Sequence, residues 1–358
     1  MNITSFRIFK QVPRLLFGRG SFARLNELLP AKQANGDFYV FVIDDVHRAG
    51  SMGGRLNIDD ADLLEWFPAS EKEPSTTQID KLRDKVLQSR NGRLPMAIVG
   101  VGGGSTMDVA KALSVILCNN GSSGQYQGWD LVPNPGIYKL GIPTISGSGA
   151  EASRTAVLMG KERKFGINSD YSMFDAIILD SGLIAGVPIQ QRFYSGMDCY
   201  IHCVESIQGT MINELARGYA STALGLCEKV FLSDGDDDML MTASYLGGVS
   251  IVNSEVGVCH ALSYGLSMEL GYRHGMANCV AFKVLDEYYG AAVDRFRTML
   301  KRHNIILPAN VCRNLESAAM DRMVEMTLRM EKPLTNALGA DWKTIMTREK
   351  ILQLYSRM

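Results

Sequence analysis

The pattern of apolar and polar positions changes halfway along the chain. In the first half, short continuous apolar runs alternate with amphipathic stretches; from about residue 181 the runs stop and only a helical period remains. Residues 38–43 read Phe-Tyr-Val-Phe-Val-Ile and end at Asp44-Asp45. Such an unbroken run predicts a parallel strand buried on both faces. Residues 95–101 (Pro-Met-Ala-Ile-Val-Gly-Val) predict a second, residues 63–67 a shorter one, and residues 174–179, closing at Asp180, the last of this half. Between them, Ile79, Leu82 and Val86 recur at helical spacing, as do Val109, Ala110, Leu113, Ile116 and Leu117 within 106–118. Near the N-terminus, Phe6, Ile8 and Val12 alternate with polar residues as in a strand. Strands separated by helices predict a mainly parallel sheet with ligands at its C-terminal edge. The second half predicts helices over 192–207, 214–231, 238–252, 256–270 and 277–289. The change of texture puts a domain boundary near residue 183: an α/β domain at 1–183 and a helical one at 184–358.

Two glycine-rich turns in the first half are candidates for chemistry. Gly102-Gly103-Gly104-Ser105 joins a predicted strand to a predicted helix. Ser105 can cap that helix with Asp108 three residues on, and backbone N–H groups there can face a pyrophosphate. The alternative is a tight strand-to-helix turn, which three glycines, each costly to order, make a poor choice. The run lacks the final glycine of a G-x-G-x-x-G fingerprint and the lysine of a P-loop. Asp44, at the end of an earlier strand, either accepts ribose hydroxyls, favouring NAD over NADP, or is an exposed turn aspartate. Residues 142–151 form another strand end followed by a Ser/Thr/Gly-rich turn.

The second half offers metal ligands. Asp198 and His202 are four apart, which on a helix puts them on one face with roughly 5–6 Å between Cβ atoms. Of the five histidines, His260 and His274 lie in a second small-residue stretch; His47 and His303 have no such context. On one straight helix the 14 residues separating His260 from His274 would span about 21 Å. Both reach one ion only if the chain turns back, and Gly271 is placed to end the first helix. Each histidine taken singly also fits a packed, satisfied side chain.

Composition narrows the classes. With 358 residues, 46% hydrophobic and 21% charged, the chain suits a two-domain globular protein. A net charge of -1 gives no basic surplus for nucleic acid or an anionic membrane, and no run approaches the roughly 20 apolar residues of a membrane span. Seven scattered cysteines, mostly in apolar runs, and no visible signal peptide lead us to expect reduced core thiols in a cytoplasmic protein.

Together these motifs resemble the iron-containing (group III) alcohol dehydrogenases. Gly102-Gly-Gly-Ser-Thr-Met-Asp108-Val-Ala-Lys111 is similar to that family's GGGSxxDxAK motif, and Pro143-Thr-Ile-Ser-Gly-Ser-Gly-Ala-Glu151 to its PTTxGTGSE segment. Gly196-Met-Asp198-Cys-Tyr-Ile-His202-Cys-Val-Glu205 matches GxDxxxHxxE, with His260 and His274-Gly275 at the family spacing. The resemblance implies an α/β nucleotide-binding domain followed by an all-α metal-binding domain, a dehydroquinate synthase-like fold. It implies interconversion of an alcohol and a carbonyl with NAD, less readily NADP, at one divalent metal, Fe²⁺ or Zn²⁺. Asp198, His202, His260 and His274 become the metal ligands. Asp44, Gly103, Gly104, Ser105, Asp108, Thr144, Ser148 and Lys164 become cofactor contacts, with Lys164 by the nicotinamide ribose. Many members place a histidine four residues after the third ligand for proton relay; here it is Tyr264, so Tyr264 and Lys164 are the candidate catalytic side chains. Arg273 replaces the usual proline before the last ligand.

Within the family, the chain resembles members that oxidise the C8 alcohol of 3-deoxy-manno-octulosonate, a lipopolysaccharide sugar acid, which implies that the aldehyde is passed to an aminotransferase. Arg154 and Arg273 are the candidate anchors for such a carboxylate, or else ordinary salt-bridged or surface arginines. The alternatives are another small polyol or aldehyde as substrate, a dehydroquinate-synthase-like cyclase, or a silent nucleotide- or metal-binding member. Family analogy also suggests a homodimer.

Overall fold

The computed structural model describes residues 8–50, 52–69, 73–161 and 164–358. Six strands form one sheet in the order β1-β9-β6-β4-β2-β3, every pairing parallel. These are β1 (Arg14–Phe17), β2 (Tyr39–Asp44), β3 (Leu63–Phe67), β4 (Ala97–Gly102), β6 (Lys139–Pro143) and β9 (Ala176–Leu179), while β5 (Gly128–Trp129), β7 (Thr155–Met159) and β8 (Lys164–Asn168) make a small second sheet. The helices of this unit are α1 (Met52–Arg55), α2 (Thr76–Ser89) and α3 (Gly104–Ile116). The two longest apolar runs became β2 and β4, buried at every position. Phe41, Ile43, Val99, Val101, Leu140 and Ile142 form the core of one sheet face. β1 and β3 lie at the edges and are accordingly half-exposed.

The expected N-terminal strand is not where the alternation put it. Phe6 lies outside the described residues, and residues 8–12 are in no strand. Instead the Lys10 backbone is held by Asn253, whose side chain accepts its N–H and donates to its carbonyl, each at 2.7 Å. A side-chain amide here takes the place of a neighbouring strand. The hairpin β7–β8 was not foreseen either. Lys164, Gly166 and Asn168 interrupt its apolar pattern, and only alternate residues of β7 are buried.

The chain divides into two compact units, and they are not consecutive in sequence. One holds residues 11–145 and 150–185; the other holds residues 8–10, 146–149 and 186–358. The second unit is helical: α4 (Ile189–Gln208), α5 (Glu214–Leu232), α6 (Asp237–Val252), α7 (Val258–Leu270), α8 (His274–Phe282) and α9 (Asp286–Tyr289), followed by further helices to Ser356. The predicted helix over 277–289 is thus two helices, since the chain leaves helical geometry after Phe282.

The inserted segment explains two glycines. At Gly147 (φ 151°) an added Cβ would lie 1.8 Å from the Ser195 carbonyl oxygen, and at Gly149 (φ 62°) 2.5 Å from Gly248 Cα. The Gly147 N–H donates to Ser244 Oγ at 2.8 Å. Close packing on α4 and α6 therefore demands glycine here.

Six of the seven cysteines are buried and all are free thiols. No helix among the described residues is long and apolar enough to cross a membrane.

Candidate functional site

In the α/β unit the candidate nucleotide residues gather at one sheet edge. Asp44 ends β2, Gly102 ends β4 and Thr144 follows β6; these strands are neighbours. β3 lies on one side of β2 and β4 on the other, so the edge is a topological switch point, where parallel α/β sheets present a ligand crevice. The glycines keep the turn tight. A Cβ at Gly102 would fall 2.5 Å from Thr106 Oγ1 and 2.9 Å from Asp44 Cβ; one at Gly103 would fall 2.9 Å from Ile145.

The expected Ser105–Asp108 cap does not form. Gly103 is the N-cap and α3 starts at Gly104, with no side-chain cap. Starting two residues early puts Asp108 in the second turn. There it pairs with Lys111 Nζ at 2.9 Å and accepts the Val157 N–H. Burial pushes the Asp108 carboxyl up, opposed by Lys111. The first N–H groups of α3 are left without a side-chain acceptor, the condition under which a helix start receives an anion.

His47, which had no context in the sequence, joins this edge: its Nε2 is 2.9 Å from Thr144 Oγ1, and burial pulls its pKa down. Lys164 is buried with its ammonium 2.6 Å from Glu73. Arg154 is committed to Asp130 and, at 2.7 Å, to Asp170, so it is no substrate anchor. Arg273 is exposed at the N-cap of α8. Ser148 falls in the segment that belongs to the helical unit.

In the helical unit the four candidate ligands converge. Asp198 and His202 share a face of α4, His260 sits in the first turn of α7 and His274 opens α8. The turn demanded by the spacing is present: Gly271, in the left-handed conformation (φ 68°), ends α7. One donor atom from each residue lies within 4.8 Å of the others. The Nε2 atoms of His202, His260 and His274 are 3.4, 3.3 and 3.6 Å from a single oxygen, Asp198 Oδ1. These are long for charge-assisted hydrogen bonds, which favour about 2.7–2.9 Å. They match donors sharing a tetrahedral centre: ligands about 2.1 Å from a cation are about 3.4 Å apart. The donor set therefore fits a divalent transition-metal ion, three imidazoles and one carboxylate suiting iron and zinc alike.

Charges in the cluster are arranged by a fifth residue. Glu205, one turn beyond His202, is wholly buried; its Oε2 accepts from His260 Nδ1 at 2.5 Å and from the Gly257 N–H at 2.8 Å. Its Oε1 accepts from the Cys259 N–H (2.6 Å) and the Tyr289 hydroxyl (2.7 Å). The start of α7 thus wraps the carboxylate in backbone donors. Gly257 makes room, for a Cβ there would meet Tyr289 Oη at 2.7 Å and Glu205 Oε1 at 3.0 Å. A carboxylate only accepts, so His260 must carry its proton on Nδ1 and aim the Nε2 lone pair at the cluster. Burial opposes charge on His260, but Glu205 and Asp198 outweigh it and push the pKa up to about 9, so without a cation the ring holds a second proton on Nε2, which a bound metal would displace. His202, buried without such a partner, is pulled down to about 4 and is neutral. Tyr264 lies one turn after His260, its ring stacked on His274 with centroids 5.9 Å apart.

Glu205 was visible as the last letter of GxDxxxHxxE, but a role for it needed the α7 backbone. Glu205→Gln is expected to weaken metal binding about 10–100-fold, because the amide can no longer fix the tautomer of His260. Competition against a chelator measures this, and unchanged affinity would remove Glu205 from the site.

Residues 13–181 match the family model for iron-containing alcohol dehydrogenase, and residues 192–341 that for the C-terminal part of the Fe-containing alcohol dehydrogenase family. Among individual relatives, the sulfoacetaldehyde reductase of Bilophila wadsworthia is 33% identical over 234 residues, 62% of this chain and 59% of that protein. The long-chain-alcohol dehydrogenase 1 of Geobacillus thermodenitrificans is 31% identical over 54% of this chain and 51% of its own length. The matched stretches thus span under two thirds of both relatives. The NAD-dependent methanol dehydrogenase of Bacillus methanolicus is 26% identical over 89% of this chain and 85% of that one. Among solved structures, the sulfoacetaldehyde reductase from Bifidobacterium kashiwanohense in complex with NAD+ superposes with a TM-score of 0.78 at 19% identity, covering 98% of both chains. The alcohol dehydrogenase from Oenococcus oeni gives 0.81 at 19% identity, covering 98% of this chain and 99% of that one. These two likenesses establish the fold.

Proposed function

Because the chain belongs to the iron-containing alcohol dehydrogenase family, we propose that it interconverts an alcohol and its carbonyl compound with NAD at a divalent cation held by Asp198, His202, His260 and His274. The observation that carries this reading is the set of three imidazole Nε2 atoms at 3.3–3.6 Å from one carboxylate oxygen. When bound, the cation would supply the Lewis acidity that brings an alcohol's pKa towards neutrality, and NAD would supply the hydride acceptor. Everything else falls to the chain. Glu205 fixes the tautomer of His260, and Asp198 supplies the negative charge among the four donors. The first N–H groups of α3, at Gly104 and Ser105, receive the pyrophosphate behind Gly103, with Thr144 beside them. Asp44 accepts the adenosine ribose hydroxyls and repels a 2′-phosphate. Lys164 serves as a cofactor contact steadied by Glu73, Asp108 as the strut of the turn, and Ser148 as part of the cofactor lining. Tyr264, standing where relatives carry a histidine, presents its phenol beside His274 to hold or pass the substrate's proton.

The substrate reading is a hydroxy acid, the C8 alcohol of 3-deoxy-manno-octulosonate, with the aldehyde passed to an aminotransferase and the chain working as a homodimer. Two observations support an anionic substrate. Arg273 is exposed immediately before His274, and the Bilophila relative is named for an aldehyde that carries a sulfonate. The protein loaded with Fe²⁺ or Zn²⁺ is assayed for NADH with this sugar acid, other hydroxy acids and neutral alcohols, and with NAD against NADP. We expect NAD to be preferred and acids to show the lower KM. Arg273→Ala should raise the KM for acids about tenfold, the loss of one charge-assisted contact, and leave neutral alcohols unchanged. No NADH from any alcohol sinks the dehydrogenase reading; equal KM for acids and neutral alcohols sinks the hydroxy-acid reading alone.

A further inference from the structure

Asn278 stands one turn beyond His274 on α8, at the same four-residue spacing that joins Asp198 to His202, and is wholly buried. Its amide nitrogen is 2.7 Å from Asp198 Oδ1, 3.1 Å from His260 Nε2 and 3.3 Å from His274 Nε2. One uncharged side chain thus touches three of the four donor atoms. The contact to Asp198 is the short one, and a carboxylate oxygen can only accept, so it is a charge-assisted N–H···O⁻ bond. The other end of the amide, Oδ1, is buried with no hydrogen-bond partner among the described residues. Burying a carbonyl that way is unfavourable, and the orientation is held regardless. The bond to Asp198 decides how the amide sits.

We infer that Asn278 is a positioning residue of the metal centre, its amide N–H holding Asp198 Oδ1 at the focus of the three imidazoles. A carboxylate on a helix rotates about its side-chain bonds, and His202 on the same face competes for it. The N–H from α8 fixes which oxygen faces the cluster. That oxygen has two lone pairs, so it can keep the Asn278 bond and still serve a cation. Asn278 also couples the ligand from α4 to the helix that carries His274, in the manner of outer partners that orient ligands from behind.

This inference rests on the metal reading above, and the test separates the two. Co²⁺ is titrated into the metal-free full-length protein, wild type, Asn278→Ala and Asn278→Asp, in competition with a chelator. Visible absorption is recorded at saturation and the fold is checked by circular dichroism. Asn278→Asp has almost the native shape but no donor, so it answers the question if Asn278→Ala does not fold. We expect both variants to bind Co²⁺ about 10–100-fold more weakly and to show shifted visible bands at saturation, because Asp198 no longer keeps its place. A wild-type chain that takes up no Co²⁺ overturns the metal reading and this inference with it. Wild-type affinity and spectrum in Asn278→Ala overturn the inference and leave the metal reading standing. Tighter binding by Asn278→Asp also overturns it, by showing that the position acts through oxygen or charge and not through an N–H donor.

Discussion

Asp198→Ala should lose bound metal and, with it, turnover by about 10³-fold or more, on a chain that still folds. Asp198 is the one anion among the four donors, and all three imidazole nitrogens face its Oδ1. Burial alone would raise its carboxyl, but the surrounding histidines hold it well below the ordinary carboxylate range. It is therefore ionised and ready to ligate throughout the neutral range. A Lewis acid contributes several kcal/mol to the transition state, and each ~1.4 kcal/mol is tenfold in rate, which sets the size of the expected loss. Elemental analysis of bound metal and NADH formation check it together. A variant with full metal content and native turnover would end the ligand assignment.

Lys111→Met should destabilise the protein by about 3–5 kcal/mol, the cost of stripping one partner from a buried ion pair. Lys111 has no exposed surface. Its ammonium reaches Asp108 at 2.9 Å, the Ala150 carbonyl at 3.0 Å, Ser153 Oγ at 3.1 Å and the Thr155 carbonyl. Methionine fills much of the space and satisfies none of these groups, leaving the largely buried Asp108 carboxyl without its cation and the Ala150 and Thr155 carbonyls with only longer bonds from Ser153. Urea unfolding of the metal-free protein measures the difference. A shift under about 0.5 kcal/mol, the range of an ordinary surface change, would contradict the account. Replacing Asp108 by leucine in the same chain should recover part of the loss, since removing both charges of a buried pair costs less than removing one.

The residues legible from sequence were those whose surroundings are also local in sequence. β2 and β4 are buried on both faces, so their composition alone marked them. Asp198 and His202 share one helix, so spacing sufficed, and Gly271 marked the turn that brings His274 back. The roles that escaped notice depend on neighbours far along the chain. His47, just after β2, meets Thr144, just after β6, 97 residues along the chain, and Glu205 is defined by the start of a helix some fifty residues later. Asn278 bonds Asp198 eighty residues away. The Ser105 cap failed for a local reason: glycine ahead of it let the helix begin early. The hairpin β7–β8 was hidden because a five-residue strand with lysine, glycine and asparagine in it has no periodic signal to read.

The four residues 146–149 have a consequence for how such a protein can be inherited or rebuilt. They are encoded within the α/β half, yet they pack as part of the helical unit, where Gly147 and Gly149 touch Ser195 and Gly248 without room for a methyl group. A gene cut near residue 185 would therefore not yield an intact helical module. A chimera joining residues 186–358 to a foreign nucleotide unit would inherit whatever loop that unit encodes. Substitutions at Ser195, Ser244 or Gly248 are constrained by four codons in the other half, so the two halves of this gene cannot drift independently.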